Sequence, residues 1–295
     1  MKPGPFRMLN PSSLDDALQM LAEKADEEGL IIAGGQSLIP MMALRVAYPA
    51  FLIDINNIDE LGTCKVIDDE FVIGATIRHA HFHKKESAPG VLGEIMCTMA
   101  QQISHFPIRQ MGTFCGSIAH SDPSSEWCLL VATLDGKITL RTASNARILK
   151  PADYFEAAML TSKEPDELIV DVKLPVLSEQ TKWGFYEFCR RAGDFAIGMA
   201  LAVYEEDNGK ITNVRLGLGG IEDCPRRITE AEEELQGSIV GEEAFVAAAE
   251  VASRSVEPME DSSTPARYRR DLTKTVIERA LRSAAAFRSR NSELL

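Results

Sequence analysis

The stretch Arg109–Glu126 reads RQMGTFCGSIAHSDPSSE, and it is rich in glycine, serine and threonine. Glycine lets the backbone come close to a ligand and adopt positive φ angles. Successive exposed N–H groups in such a loop form a concavity that binds anions. Asp122 precedes Pro123, which predicts a rigid turn whose carboxylate can reach a sugar hydroxyl. We therefore expect this stretch to hold the phosphate part of a nucleotide-like cofactor.

A second stretch, Ala33–Pro40, reads AGGQSLIP and has the same chemistry. It follows the apolar strand expected at Leu30–Ile32 and precedes the helix expected at Leu38–Leu44. A glycine turn at that position leaves free N–H groups at a helix N-terminus, where they can donate to an anion. The simpler alternative is a turn that binds nothing, and the spacing fits neither a Rossmann nor a P-loop motif. Two such loops about 75 residues apart indicate one ligand held from two sides.

Composition and charge restrict the class of protein. The chain has 295 residues, which allows two or three domains, and its apolar share of 45% is ordinary for a globular protein. The formal net charge of -13 disfavours binding to a nucleic-acid backbone. No apolar run approaches the roughly 20 residues of a membrane span, and the N-terminus lacks an apolar signal core. We expect a cytoplasmic protein with no membrane span and no nucleic-acid partner.

Cysteine and histidine spacing argues against a metal centre in this chain. None of the 6 cysteines forms a C-x-x-C pair, so free thiols in a reducing compartment are the better interpretation. His79, His81 and His83 have H-x-H-x-H spacing, which on a strand would place all three side chains on one face. The preceding Gly74-Ala75-Thr76 favours a turn into a helix instead, where residues two apart point about 200° apart. We therefore expect no metal site here.

The pattern of strands and turns divides the chain into three parts, 1–62, 63–177 and 178–295. The first boundary lies near Gly62, and the second lies at Leu177–Lys182. In the third part we expect long strands at Lys182–Arg191, Asp194–Tyr204 and Ile211–Gly220. Three helices follow, near Arg226–Leu235, Gly241–Ser253 and Thr264–Phe287. This order predicts an α+β domain in which helices cover one face of a three-stranded antiparallel sheet.

Several motifs together resemble those of one protein family, the FAD-binding medium subunits of the molybdenum hydroxylases (the xanthine dehydrogenase / carbon monoxide dehydrogenase flavoproteins). The family motif A-G-G-x-S-L-x-P is matched by Ala33–Pro40. A second motif, I-R-N-x-G-T-x-G-G-S/N-x-x-x-x-D-P, is matched by Ile108-Arg109, Gly112-Thr113, Gly116-Ser117 and Asp122-Pro123. The C-terminal segments Arg190–Ala196, Cys224-Pro225-Arg226 and Tyr268-Arg269-Arg270 also resemble family segments.

Two residues depart from the second motif. Gln110 stands where the family usually has asparagine, and Cys115 stands where it usually has the first glycine of a pair. A cysteine is accommodated without strain only if its φ angle is negative. These departures therefore concern the geometry of the loop more than the identity of the ligand.

The resemblance implies an α+β fold with a two-lobed FAD-binding domain of the vanillyl-alcohol-oxidase/PCMH type, followed by the α+β C-terminal domain. It implies non-covalent FAD, because Gln36 stands where relatives often have histidine. The partners it implies are a large molybdopterin-binding subunit and a small subunit with two [2Fe–2S] clusters. One copy of each of the three subunits would form a heterotrimer, and two heterotrimers would assemble as a heterohexamer. The flavin subunit would then pass electrons from the clusters to an external acceptor.

The resemblance also implies roles for individual residues. The diphosphate would be held by Ala33, Gly34, Gly35, Gln36 and Ser37, together with Thr113, Gly116 and Ser117. Leu38 is a further cofactor-binding residue. Asp122 would take a ribose hydroxyl. Leu168 and Ile169 would pack near the isoalloxazine, Phe195 would lie over or beside it, and Tyr186 occupies a position where some relatives place a lysine towards it. For Leu168, Ile169 and Phe195 an ordinary core position is the alternative. No catalytic residue and no metal ligand is assigned.

Two other functions fit the same residues. One is a stand-alone FAD-dependent oxidoreductase of the same fold, which would need catalytic acids or bases beside the flavin. No such cluster stands out in the C-terminal third of the sequence. The other is a non-enzymatic, nucleotide-binding assembly subunit, which would carry no yellow chromophore after purification.

Overall fold

A small parallel sheet opens the chain in the computed structural model, which describes residues 2–287. Its strands are β1 (Arg7–Leu9), β2 (Gly29–Ile32) and β3 (Phe51–Asp54), in the order β1-β3-β2. Helix α1 (Leu14–Lys24) connects β1 to β2, and helix α2 (Leu38–Ala43) follows β2. The hydroxyl of Ser13 caps α1 by accepting from the Asp16 N–H at 3.1 Å. This arrangement leaves the first glycine loop at the carboxyl end of β2.

A five-stranded antiparallel sheet forms the second lobe, in the order β4-β5-β10-β6-β7. Its strands are β4 (Cys64–Ile67), β5 (Glu70–Gly74), β6 (Lys137–Arg141), β7 (Ala146–Leu149) and β10 (Leu168–Pro175). Between β5 and β6 lie the helices α3 (Gly90–Gln102), α4 (Phe106–Met111), α5 (Phe114–His120) and α6 (Glu126–Thr133). Helix α7 (Pro151–Tyr154) and the hairpin β8 (Phe155–Ala157) with β9 (Leu160–Thr161) precede β10. Helix α6 is apolar on every side, and accordingly all its residues after Glu126 are buried.

The C-terminal sheet has four strands, so the expectation of three is wrong. Its strands are β11 (Lys182–Phe188), β12 (Gly198–Asp207), β13 (Lys210–Gly219) and β14 (Arg226–Arg227). Helices α8 (Thr229–Leu235), α9 (Glu242–Ser255) and α10 (Ala266–Ala286) follow. The missed strand pairs Arg227 with Gly217 and Arg226 with Leu218. A strand of two residues is too short to show an alternating pattern. The sequence therefore predicts Arg226 and Arg227 at the start of the next helix.

Strand β12 is buried on both faces. Its side chains Met199, Leu201 and Val203 join the core of the FAD-binding lobes, whereas Ala200, Ala202 and Tyr204 join the core beneath helices α8–α10. Helix α6 lies against β13 on the first of these faces. A methyl group at Gly217 would lie 1.8 Å from Oγ1 of Thr133, so a glycine is needed where the helix meets the sheet.

The three larger sheets fall within the expected ranges 1–62, 63–177 and 178–295, of which residue 1 and residues 288–295 lie outside the described residues. The division into three domains itself stays a prediction. Within residues 2–287, no helix combines the length and apolar character that a membrane crossing requires.

Candidate functional site

The two glycine loops lie directly against each other. A methyl group at Gly34 would lie 2.5 Å from the carbonyl oxygen of Met111 and 2.7 Å from Cα of Gly112. Both loops line one cleft of about 280 Å³, called here the interloop cleft, between Ala33–Leu38 and Gly112–Ser117. The expected proximity of the two loops is therefore confirmed.

The first loop presents a row of free backbone donors. Within residues 2–287, the N–H groups of Gly34, Gly35, Gln36 and Ser37 have no protein acceptor. Gly35 has a φ of 67°, and the side-chain amide of Gln36 donates to the Gly34 carbonyl at 2.9 Å. A positive φ beside residues of ordinary φ is the backbone geometry from which nests of consecutive N–H groups are built. Such a nest accommodates an anionic oxygen.

The second loop forms the start of helix α5 and uses part of its donors internally. The hydroxyl of Thr113 caps the helix by accepting from the Gly116 N–H at 3.1 Å, and the Ser117 N–H donates to the Thr113 carbonyl at 3.1 Å. Gly116 and Ser117 therefore offer the cleft an uncovered backbone and a hydroxyl rather than free N–H groups. In the described part of the chain, the N–H groups of Thr113 and Cys115 have no acceptor.

Cys115 fits its position without backbone strain. It lies in the first turn of α5 and is absent from the residues with positive φ. Its thiol donates to the Ile73 carbonyl at 3.7 Å, and burial raises the pKa of the thiol well above its usual value. The departure from the family motif is thus accommodated by turning the side chain into the core.

A polar bridge joins the two lobes behind the loops, and no motif of the sequence indicates it. Asn56 donates from Nδ2 to the Ala33 carbonyl at 2.8 Å, and its Oδ1 accepts from Nη2 of Arg78 at 2.6 Å. Arg78 also donates to the Met111 carbonyl, which belongs to the other loop. Asp54 fixes the Asn56 amide by accepting from its Nδ2 at 2.6 Å. The bridge connects a carbonyl of each loop through two side chains.

His79 also lines the cleft and is nearly fully buried. Its Nδ1 accepts from the Trp127 indole N–H at 2.9 Å, and its backbone N–H donates to the Gly112 carbonyl at 2.9 Å. Burial, reinforced by the charges of Arg78 and Arg109, lowers the pKa of His79 to about 3. The ring is therefore neutral, and its single proton is on Nε2.

The three histidines of the H-x-H-x-H segment have different environments. They lie in a 3₁₀ helix, His79–His83, rather than on a strand. His83 accepts from Nε of Arg109 at 3.1 Å, while His79 is bonded to Trp127. Among the residues that the structure describes, no three His, Cys, Asp or Glu side chains come together to hold a metal ion.

The far wall of the cleft is formed by the start of β10. Leu168 and Ile169 are each 4% exposed there and line the cleft. Glu167 precedes them and accepts from Arg147 at 2.6 and 2.7 Å. Burial opposes ionisation of Glu167, but hydrogen bonds from Arg147 and the Glu164 N–H outweigh it and lower the pKa of the carboxyl. Lys163 lines the same wall, and burial lowers the pKa of its ammonium group.

Three of the residues implied by the resemblance lie outside the lining of the interloop cleft. The carboxylate of Asp122 accepts from the Ser124 N–H at 2.8 Å. The hydroxyl of Tyr186 accepts from Arg279 on α10, and Phe195 is 76% exposed between β11 and β12. The structure thus brings together the residues of both loops with Leu168 and Ile169, and it places these three elsewhere.

Two hydrogen bonds hold the turn of Asp122 against the C-terminal sheet. Ser124 donates from Oγ to the Ala196 carbonyl at 2.9 Å, and the Gly220 N–H donates to the Pro123 carbonyl at 2.8 Å. The turn that carries Asp122 is therefore hydrogen-bonded to the segment that carries Phe195. Both lie where the second lobe meets the C-terminal sheet.

The chemistry of the cleft fits part of a dinucleotide. N–H groups without an acceptor among the described residues occur in both loops that line the cleft, which suits an anionic diphosphate. Leu168, Ile169 and the side chains of Ile31 and Ile55 supply apolar walls. Ligand sites commonly have volumes of roughly 300–1,000 Å³, so the cleft suits one portion of a large ligand.

Comparison with known proteins gives full-length matches. Residues 4–177 match the model of the FAD binding domain in molybdopterin dehydrogenase, and residues 183–284 match the CO dehydrogenase flavoprotein C-terminal domain. The nicotine 6-hydroxylase medium subunit of Paenarthrobacter nicotinovorans is 34% identical, covering 97% of this chain and 99% of its own. The carbon monoxide dehydrogenase medium chain of Afipia carboxidovorans is 31% identical over the same shares. A solved carbon monoxide dehydrogenase of Hydrogenophaga pseudoflava superposes with a TM-score of 0.91 at 29% identity, covering 97% and 99%.

Proposed function

This chain belongs to the FAD-binding medium subunits of the molybdenum hydroxylases, and we propose that it relays electrons through one non-covalently bound FAD within a multi-subunit oxidoreductase. The electrons would come from [2Fe–2S] clusters of a small partner subunit and leave to an external acceptor. A large partner subunit would hold the molybdenum cofactor and oxidise the organic substrate. The assembly we propose is a dimer of these heterotrimers, and its cytoplasmic location stays a prediction.

The observation that carries the proposal is the row of N–H groups at Gly34–Ser37, which have no acceptor within residues 2–287 and belong to a loop that shares one cleft with the second loop. Together with the N–H groups of Thr113 and Cys115, these donors would hold the two phosphates of FAD from opposite sides. Ser117 adds a hydroxyl, and Gly116 lets the backbone approach because it has no side chain. Leu38 closes this end of the cleft, and Ala33 is fixed through its carbonyl by Asn56.

Leu168 and Ile169 would pack against a ring system of the dinucleotide. When bound, FAD supplies the exchange between one-electron and two-electron transfer, while the protein supplies binding, orientation and electrostatics. Gln36 has an amide that already donates to the Gly34 carbonyl, and an amide is not a nucleophile that could form a covalent flavin link. A covalent flavin link at this position is therefore excluded, and we propose that FAD binds non-covalently.

Asp122, Phe195 and Tyr186 would meet only a ligand that extends beyond the interloop cleft. Asp122 and Phe195 lie on two hydrogen-bonded segments at the edge of the C-terminal sheet. A cleft of about 280 Å³ is too small to enclose a whole dinucleotide, and we propose that the remaining part of FAD reaches this edge. We propose Asp122 as a partner of a ribose hydroxyl and Phe195 as an aromatic neighbour of the isoalloxazine. Tyr186, bonded to Arg279, is proposed only as part of the surrounding wall.

The first test is an absorption spectrum of the purified full chain, followed by titration of the flavin-free chain with FAD. We expect flavin absorption bands and saturable binding of one FAD per chain. A colourless protein that binds no FAD would reject the proposal and favour a non-enzymatic assembly subunit.

A second experiment separates the relay subunit from a stand-alone oxidoreductase. The chain is co-purified with its partner subunits, and reduction of its flavin by the substrate of the complex is followed. We expect reduction only in the complex. Reduction of the isolated chain by the same substrate would favour the stand-alone enzyme.

A further inference from the structure

His79 has one ring nitrogen that is bonded to none of the described residues. Trp127 donates to Nδ1, so the proton of the neutral ring is on Nε2. Within residues 2–287, this Nε2–H has no acceptor. The side chain is 5% exposed and lines the interloop cleft. A donor that lines a cleft and is bonded to no described residue is available to an acceptor on a bound ligand.

The free donor lies where the two glycine loops meet. A methyl group at Gly112 would lie 2.5 Å from Nε2 of His79. A methyl group at Gly34, on the opposite loop, would lie 2.7 Å from Cα of Gly112. The imidazole therefore adds a side-chain donor to the free backbone donors of both loops. The free polar groups at this junction are donors, which fits a ligand group that only accepts hydrogen bonds.

We propose that His79 is a cofactor-binding residue whose Nε2–H donates to a phosphate oxygen of FAD at the junction of the two loops. Trp127 is then a positioning residue, because its indole N–H keeps the imidazole proton on the side of the cleft. A neutral imidazole adds a directed donor without adding a positive charge next to the backbone nest. This inference rests on the proposed FAD site and assigns one more residue to it.

The experiment compares ligands with and without phosphate. The flavin-free full chain and its His79→Phe variant are titrated with FAD, ADP and riboflavin, and binding is followed by calorimetry and flavin fluorescence. We expect His79→Phe to weaken FAD and ADP about 10-fold to 100-fold, as for a hydrogen bond to a charged group, and to leave riboflavin unchanged. Equal weakening of all three ligands would identify a structural role and overturn the proposal.

Two further variants make the result independent of folding. His79→Gln retains an N–H donor and is expected to recover part of the lost affinity for FAD, whereas His79→Phe is not. Trp127→Phe removes the indole donor, and we expect it to weaken FAD and ADP by several-fold with riboflavin unchanged. Circular dichroism of each variant checks that the chain is folded. If His79→Gln binds FAD as weakly as His79→Phe, the donor role is refuted.

A spectroscopic readout tests the contact directly. The ³¹P resonances of FAD bound to the full chain are recorded for the wild type and for His79→Gln. We expect one of the two phosphorus signals to shift, and identical spectra would contradict the contact. If the wild-type chain binds no FAD at all, the proposed function fails. If the wild type and His79→Phe bind FAD equally, only this inference fails.

Discussion

Arg78 donates from Nη2 to Oδ1 of Asn56 at 2.6 Å, and this bond spans the two lobes that carry the glycine loops. Each partner is also bonded to a carbonyl of one loop, Ala33 or Met111. The distance between the loops thus depends on a pair of side chains that touches neither the free N–H groups nor the apolar walls. This arrangement explains how two separate lobes can present one set of donors.

A double-mutant cycle on this pair tests the bridge. We expect Asn56→Ala and Arg78→Ala each to weaken FAD binding about 10-fold, because the loops lose their common support. The double variant should be little worse than either single variant, with a coupling energy of about 1–2 kcal/mol. The measurement is the FAD dissociation constant of the four proteins. Additive losses would show that the two side chains act separately.

Gly34→Ala tests the contact between the loops. The added methyl group would lie 2.5 Å from the Met111 carbonyl oxygen, so the loops must separate to accommodate it. We expect at least about a 10-fold loss of FAD affinity, since a displacement of about 1 Å is costly for positioned groups. Gly4→Ala is the matched control, because a methyl group there has no neighbour within 4 Å. Unchanged binding in Gly34→Ala would disprove the close approach.

Arg147 supports the wall formed by Leu168 and Ile169 through Glu167. Arg147→Met would leave the carboxylate of Glu167, which is 5% exposed, without its bidentate partner. We expect the free energy of unfolding to fall by about 2–3 kcal/mol at pH 7. Urea unfolding measures it, and the double variant Arg147→Met, Glu167→Gln should recover part of the loss. A destabilisation below about 0.5 kcal/mol would show that the ion pair of Arg147 and Glu167 contributes little to stability.

Glu187 on β11 predicts a pH dependence of stability. Burial raises its pKa from 4.5 to about 7, and one of its carboxyl oxygens is buried without a partner in the described chain. The folded chain therefore holds a proton that the unfolded chain releases above about pH 4.5. The resulting stability is fully present below pH 4.5 and is lost as the pH rises through 7. The neighbouring Glu126, whose pKa is raised by burial and then by the charge of Glu187, acts in the same direction.

Urea unfolding of the flavin-free chain at pH 5 and pH 8 measures this dependence. We expect the free energy of unfolding to be lower at pH 8 by on the order of 1–3 kcal/mol from this pair of carboxyls. Glu187→Gln, which stays neutral, should reduce the difference between the two pH values. The exposed Glu243→Gln is the control and should not. If the free energy of unfolding differs between pH 5 and pH 8 as much in Glu187→Gln as in the wild type, other titrating groups cause the pH dependence.

The sequence allowed the two loops to be predicted because their chemistry is local. A glycine that needs positive φ, such as Gly35, and a capping residue such as Thr113 act on their immediate neighbours, so their type and spacing carry the information. The proximity of the loops followed from two similar motifs that suit a single ligand. The family resemblance added the identity of the cofactor, FAD, and the roles of individual residues.

What the sequence did not reveal depends on contacts between distant segments. Asn56 and Arg78 are separated by 22 residues, and His79 meets Trp127 across 48 residues. Neither pair forms a motif, and His79 stood out only for its spacing from other histidines. Strand β14 exists because two residues pair with β13, which no periodic pattern of two residues can indicate. Contacts between side chains that are distant in the sequence depend on the whole fold rather than on one stretch of sequence.

The double burial of β12 bears on how this polypeptide can be truncated. Met199, Leu201 and Val203 fill the interior of the preceding lobes, and the intervening side chains fill the interior beneath α8–α10. A fragment that stops before Lys182 would expose the apolar patch that β12 normally covers, and the complementary fragment would expose the other side of the same strand. If the chain is divided at Leu177–Lys182, we expect each fragment to aggregate when it is expressed alone. We expect the two fragments to be soluble when they are expressed together.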